Sequence, residues 1–235
     1  KENKYLWPVV APSTGRVERT APLPFIGRQY APSLSLRDDF DESELGLAWT
    51  FRRVPREDAY SLNRRPGFLR LNSQSSTPTA RARIAQLGVK QTESDFTFTA
   101  STYFESKTIN SEAGISLFQK DNHYLNAVVK NDANGYQLSV YLANRGKPEI
   151  LTSIAAPNYS GAIQWQFMSA EKQYKVRYRF KPESEWSLLH TMPSNIMLSQ
   201  YYTGAHIGFY ASSNGNPSTD YMDIDWAEYI SKPTL

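Results

Sequence analysis

Trp49 to Leu71 reads WTFRRVPREDAYSLNRRPGFLRL, and the chain enters it through the acidic run Asp38-Asp39-Phe40-Asp41. The stretch reads as strand, turn, strand. Its sharpest part is Arg65-Pro66-Gly67-Phe68-Leu69-Arg70-Leu71. Pro66 fixes its own φ and has no N–H for a ladder, while Gly67 tolerates positive φ, so the pair forms a turn. Beyond the turn, alternation sends Leu69 and Leu71 to one face and Arg70 to the other. A strand with one apolar and one wet face belongs to an antiparallel sheet packed on one side.

The same period of two recurs outward from this stretch. Phe96, Phe98, Ala100, Thr102 and Phe104 alternate with Thr97, Thr99 and Ser101. Ile115 to Phe118 and His123 to Lys130 read as strands. Asp132-Ala133-Asn134-Gly135 supplies a hairpin turn, because Asn and Gly tolerate φ > 0. Tyr136, Leu138, Val140 and Leu142 then share a face, as do Ile163, Trp165 and Phe167. Tyr174, Val176, Tyr178 and Phe180 alternate with Lys175, Arg177 and Arg179. Lys181 to Glu185 turns the chain back, and Trp186 to His190 returns. Ala205, Ile207, Phe209 and Ala211 alternate again, and a last strand runs from Tyr221 to Tyr229. No segment sustains a helical period; Pro193 to Ser199 has room for one turn of helix. About a dozen strands with turn signals between them imply an all-β protein, two packed antiparallel sheets forming a sandwich. Residues 1–35 differ: Pro8, Pro12, Pro22, Pro24 and Pro32 punctuate a stretch without periodicity, which reads as an extended connector.

The 235 residues suffice for one large sandwich with a substantial core. Cysteine is absent, so there is no disulfide framework; a secreted or periplasmic setting is the expectation, although missing cysteine does not fix it. The formal charge of +3 comes from 26 basic and 23 acidic residues scattered along the chain. No basic block tracks a phosphate backbone, which argues against nucleic acid. No apolar run approaches the roughly 20 residues needed to span a bilayer. Lys1 to Pro12 has no apolar signal-peptide region, so the chain reads as a mature form or an excised piece.

Eight short pieces carry a likeness to a known family. They are Asp38-Asp39-Phe40-Asp41, Trp49 with Arg52 and Pro55, Tyr60-Ser61-Leu62, the Arg65–Leu71 segment, Glu112-Ala113-Gly114-Ile115, Asn122-His123-Tyr124-Leu125, Tyr202-Thr203-Gly204-Ala205-His206-Ile207-Gly208 and Asp223-Ile224-Asp225-Trp226. Each is weak alone, but their order is kept over most of the chain. Together they resemble the C-terminal module of glycoside hydrolase family 43 β-xylosidases and α-L-arabinofuranosidases, also classified as carbohydrate-binding module family 91. The resemblance implies a concanavalin A-like jelly-roll sandwich beside a five-bladed propeller that holds the catalytic carboxylates. Leu6-Trp7-Pro8-Val9-Val10 resembles the propeller's last strand, which makes residues 1–35 a linker and 36–235 the accessory module. It also implies a non-catalytic role: binding xylan or arabinoxylan and completing the pocket of the propeller on the same polypeptide. In the family an aromatic at the position of Tyr202 leans from a loop toward that pocket. Here it is Tyr where Phe is the expectation, and Asp58-Ala59-Tyr60 lacks the Trp often seen near it.

Sugar recognition sets an aromatic ring against the C–H face of a pyranose and polar groups on its hydroxyls. Tyr202 and Tyr201, on a loop ahead of a strand, are the first candidates. Glu112 and Tyr124 come next, because the family's Glu-Ala-Gly and His-Tyr strands are neighbours; alternatively Glu112 caps a turn. Trp165 is bracketed by Gln164 and Gln166, yet it shares a face with Ile163 and Phe167, and burial is the competing outcome. A structural calcium is a further expectation. Sandwiches of this type often hold one where the first strand meets the last, and Asp39 and Asp41, beside Asp38, would face Asp223 and Asp225. The alternative is two solvated acidic turns that never meet. Three scattered His and no Cys argue against zinc. A free-standing glycanase is the rival reading. Asp223-Ile224-Asp225-Trp226-Ala227-Glu228 has the spacing of Glu-x-Asp-x-x-Glu, the paired carboxylates of sandwich glucanases, with Asp first. Asp is one methylene shorter, and a displacement of about 1 Å can cost a hundredfold in rate. A purely structural domain is the third reading. His123, His190 and His206 sit in no catalytic motif.

Overall fold

The computed structural model describes Gly15, residues 35–197 and residues 204–232. The chain divides into Lys1–Pro32 and Ser33–Leu235, and the second unit carries the sheets. Its strands are β1 Ser35–Asp38, β2 Thr50–Phe51, β3 Tyr60–Ser61, β4 Leu69–Asn72, β5 Ala85–Lys90, β6 Asp95–Phe104, β7 Glu112–Lys120 and β8 His123–Asp132. They continue with β9 Gly135–Asn144, β10 Glu149–Ala155, β11 Ala162–Ala170, β12 Gln173–Arg179, β13 Ser187–Pro193, β14 His206–Ser212 and β15 Tyr221–Lys232. A single 3-10 turn, Ser194–Met197, is the one helical element among the described residues.

Two antiparallel sheets form a sandwich, as the alternation predicts and as a concanavalin A-like fold requires. One sheet has eight strands in the order β13-β12-β11-β6-β15-β4-β3, with β1 added on β15. The other has seven, in the order β10-β9-β8-β7-β14-β5-β2. The Arg65–Phe68 turn closes with the Phe68 N–H on the Arg65 carbonyl at 3.0 Å. Gly67 takes φ 76°, the positive value a type II turn demands at that place. Leu69 and Leu71 are buried between the sheets, and Arg70 stands on the opposite face. The β8–β9 hairpin turns through Ala133-Asn134, with Asn134 N–H on the Asp132 carboxylate at 2.7 Å.

Strands β5 and β10 have no counterpart in the sequence reading. Gly88 interrupts the alternation of β5, and β10 is an edge strand that buries little. Gly88 has a reason: it sits directly opposite Gly208 of β14, and a Cβ on Gly208 would stand 2.1 Å from the Leu87 carbonyl oxygen. Two bare backbones let these strands close up in mid-sheet.

The core is aromatic. Trp49 stacks on Phe209 at 5.6 Å, Phe96 stacks on Phe167 at 5.8 Å, and Phe98 meets Phe209 edge-on at 5.7 Å. Trp165 lies among them at 0 % exposure, with no hydrogen-bond partner on its indole N–H among the described residues. The candidate sugar platform at Trp165 is therefore corrected: its β11 neighbours Ile163 and Phe167 draw it inward, and no ligand can reach it.

Candidate functional site

Burying Ala113, Ile115 and Leu117 of β7 turns Glu112, Gly114, Ser116 and Phe118 to the outer face of the seven-stranded sheet. By the same alternation β8 presents Tyr124 and Asn126 there, β9 presents Tyr141 and β14 presents Tyr210. Tyr210 stands directly opposite Gly114, where a Cβ would stand 2.1 Å from the Ala127 carbonyl oxygen of β8. Glu112, Tyr124, Asn126, Tyr141 and Tyr210 line a cavity of about 350 Å³, closed on one side by Thr77 and Pro78 and flanked by Lys130.

Glu112 lies in this cavity at 6 % exposure. The Tyr210 hydroxyl donates to its Oε1 at 3.1 Å. Burial raises the Glu112 carboxyl above its ordinary range, against the opposing pull of Asn214, Lys130, Tyr210 and Tyr141. Burial also pushes the Tyr124 phenol up to about 12, with the Glu112 charge adding to it. The Tyr141 and Tyr210 phenols are raised by the same two causes in the same order. The phenols therefore stay protonated, and Tyr210 and Tyr141 donate to the one carboxyl group. Glu112 is the one acidic side chain lining the cavity among the described residues. Such a set matches the hydroxyls of a neutral saccharide, and it lacks the second carboxyl group that glycoside cleavage needs.

Arg52 braces the segment that closes the cavity. Its guanidinium donates to the Pro78 carbonyl at 2.6 Å and the Ala80 carbonyl at 3.4 Å, pairs with Asp121, and lies 4.8 Å over the Phe118 ring. Burial lowers its pKa to about 10, helped by neighbouring Arg53, which leaves it charged at neutral pH. The segment bearing Thr77 and Pro78 is thereby pinned across the sheet face.

The structure sorts the sequence candidates. Glu112 and Tyr124 come together in one cavity. Tyr201 and Tyr202 lie outside the described residues. The acidic residues Asp38, Asp39 and Asp223 each have partners of their own. Strand β1 does pair with β15, yet Asp38 spends its carboxylate on the Trp49 indole at 2.7 Å and the Phe40 N–H at 2.9 Å. Asp39 pairs with Arg37 at 2.6 Å. Asp223 is 3 % exposed and takes two bonds from Arg70, at 2.7 and 2.9 Å, plus Arg65 at 3.3 Å. Among the described residues no three His, Asp or Glu side chains converge. Of the four candidate calcium ligands, Asp39 is paired with Arg37 and Asp223 with Arg70 and Arg65. The glycanase spacing fails. Asp225 falls at a bulge in β15, between Ile224 and Trp226, and Asp223 is locked under its arginines.

Sequence reasoning missed Tyr141, Tyr210, Lys130 and Arg52. The first two were legible as the off-face partners of the Val140–Leu142 and Phe209–Ala211 alternations. Arg52 carried no signal of its own.

Residues 37–230 match the β-xylosidase C-terminal concanavalin A-like domain. The chain is 27 % identical over 226 residues to the non-reducing end α-L-arabinofuranosidase BoGH43B of Bacteroides ovatus, covering 95 % of this chain and 42 % of that protein. It is 26 % identical over 224 residues to a xylosidase/arabinosidase of Butyrivibrio fibrisolvens, covering 94 % and 43 %. The solved structure of the Bacteroides ovatus xyloglucan PUL GH43B superposes with a TM-score of 0.80 at 26 % identity, over 93 % of this chain and 43 % of that one. The chain thus spans less than half the length of these relatives. With the sandwich topology, the match over nearly the whole sheet unit decides its membership: the chain belongs to the family of β-xylosidase C-terminal concanavalin A-like domains.

Proposed function

We propose that this chain is the non-catalytic accessory sandwich of a family 43 glycosidase, and that the Glu112 cavity seats a segment of xylan or arabinoxylan. The observation that carries this reading is a buried carboxyl group ringed by phenols within a cavity on a sheet face. Sugar hydroxyls would exchange with the contacts that Glu112, Asn126 and Lys130 make at rest. Tyr141, which is half-buried, supplies ring surface for the C–H face of a pyranose. The names of the two relatives, an arabinofuranosidase and a xylosidase/arabinosidase, support pentose glycans as the ligand class. The second half of the reading concerns the loop with Tyr201 and Tyr202, which would complete the pocket of a catalytic propeller in the same polypeptide.

Affinity electrophoresis through xylan and arabinoxylan, followed by calorimetry with their oligosaccharides, tests the first half. The expected result is weak retention, lowered about tenfold in affinity by Glu112→Gln or Tyr141→Phe, the loss of one charge-assisted or well-placed hydrogen bond. A wild-type chain that passes through the gels unretarded and gives no heat leaves a structural domain instead. For the loop, Tyr202→Ala in the whole enzyme should raise KM or lower kcat; unchanged kinetics reject its approach to the pocket.

A further inference from the structure

A second cavity, about 280 Å³, opens on the same outer face. Phe51 and Phe118 form its apolar wall, Gln86 and Ser116 lie on its floor, and Arg52, Arg53, Lys120 and Asp121 stand around it. It adjoins the Glu112 cavity. Ser116 lines one and Asn126 lines the other, and the Ser116 hydroxyl donates to the Asn126 carbonyl oxygen at 2.7 Å.

Two features of this second cavity point to a ligand. The first is charge. Asp121 is its one carboxylate among the described lining residues, and it answers both Arg52 and Arg53, the latter at 3.4 Å. With Lys120 the lining holds three cations to one anion. The Arg53 side chain is 37 % exposed, so its guanidinium, bonded also to the Ala82 carbonyl at 2.9 Å, keeps donors for a further acceptor. The second feature is an unanswered acceptor. Gln86 is 4 % exposed and donates its amide N–H to Ser116 at 2.7 Å, but its Oε1 has no donor among the described residues. A buried acceptor left without a donor is costly, and native structures keep few of them.

We propose that this cavity is a subsite for a saccharide unit carrying a carboxylate, a uronic acid branch on the glycan whose backbone lies over Glu112. The carboxylate pairs with Arg53, a ring hydroxyl donates to Gln86 Oε1, and the ring edge packs beside Phe51. The shared Ser116–Asn126 floor sets branch and backbone side by side. This inference rests on the glycan reading of the Glu112 cavity and adds the class of substituent.

Calorimetry on the full chain tests it with three probes at matched low ionic strength: a neutral xylo-oligosaccharide, the same backbone with one glucuronic acid branch, and inorganic phosphate. The branch should tighten binding about fivefold to tenfold, as one charge-assisted contact does at a partly exposed site. Arg53→Gln should abolish that gain and leave the neutral affinity unchanged, with a melt matching wild type. Equal affinities for the two oligosaccharides overturn the inference while the Glu112 reading stands. A gain that survives Arg53→Gln overturns it as well. Phosphate binding as tightly as the branched sugar identifies a bare anion site and overturns it. Binding of the branched sugar that is lost in Arg53→Gln upholds the inference; silence from all three probes removes it together with the glycan reading on which it rests.

Discussion

Asp223→Asn separates the structural use of this carboxylate from the catalytic and calcium-binding uses that its sequence motif invites. Asp223 faces Arg70 directly across the β4–β15 ladder, and both oxygens are bonded by that one guanidinium. The Arg70 side chain is 19 % exposed, and its guanidinium lies 3.5 Å over the Tyr221 ring. Substituting the amide removes the charge and points an N–H₂ at an N–H donor. Losing one partner of a buried pair costs about 3–5 kcal/mol; partial exposure of Arg70 reduces this to about 2–4 kcal/mol. The Arg65 contact adds little, because that side chain is 40 % exposed and screened by solvent. For a domain of this size, 1 kcal/mol moves Tm by about 2–4 °C, so the melt should fall by roughly 4–16 °C. The Arg70→Met/Asp223→Leu double variant should recover most of the loss, since apolar replacement of both partners removes the unpaired charge. Thermal and urea melts of wild type, Asp223→Asn and the double variant are the assay. A wild-type Tm for Asp223→Asn refutes the reasoning. So does a double variant no more stable than the single one, or xylan hydrolysis by the wild-type chain that disappears in Asp223→Asn without loss of fold.

Two further outcomes follow from the core and the cavity. Trp165→Phe should stay within about 1 kcal/mol of wild type, because relief of the unpaired indole N–H offsets the smaller ring, whereas Trp165→Ala should cost about 3–5 kcal/mol; urea melts distinguish them, and neither should alter glycan affinity beyond its effect on the fold. The raised Glu112 carboxyl makes the folded state hold its proton more tightly than the unfolded one, so its contribution is most favourable at low pH and is lost as pH rises from the ordinary carboxylate range through the folded value. Glu112→Gln, which mimics the protonated form, should therefore raise Tm relative to wild type at pH 8 and match it at pH 4; the opposite pH trend contradicts the burial of this group.

Much of the fold was legible because it rests on local chemistry. The Pro66-Gly67 turn, the inward Leu69 and Leu71 and the outward Arg70 follow from φ restrictions and the two-residue period alone. The Tyr174–Phe180 alternation and the Asn134-Gly135 hairpin needed nothing more. Strand β10 escaped notice because an edge strand buries little and shows weak alternation. Half of the candidate cavity was visible through Glu112 and Tyr124. Tyr141 and Tyr210 lie off the apolar face that marks their strands, so alternation alone gives them no role. Arg52 was visible only within the Trp49–Pro55 piece that carries the family likeness, since its role depends on a loop twenty-six residues away in sequence and on a ring from a third strand.

By itself, the order of side chains determined that two antiparallel sheets would close over an aromatic core, because alternation and turn residues act within a few positions. Only the tertiary structure decided what each polar residue does. Asp223 lies 153 residues from Arg70, and the closing of β15 against β4 turns a motif that resembles catalytic spacing into a buried ion pair. The same closing of distant strands gathers Glu112, Tyr124, Tyr141 and Tyr210 from four strands into one cavity. Burial and partners are properties of that gathering, and they set the charge and hydrogen-bonding state of every group in it.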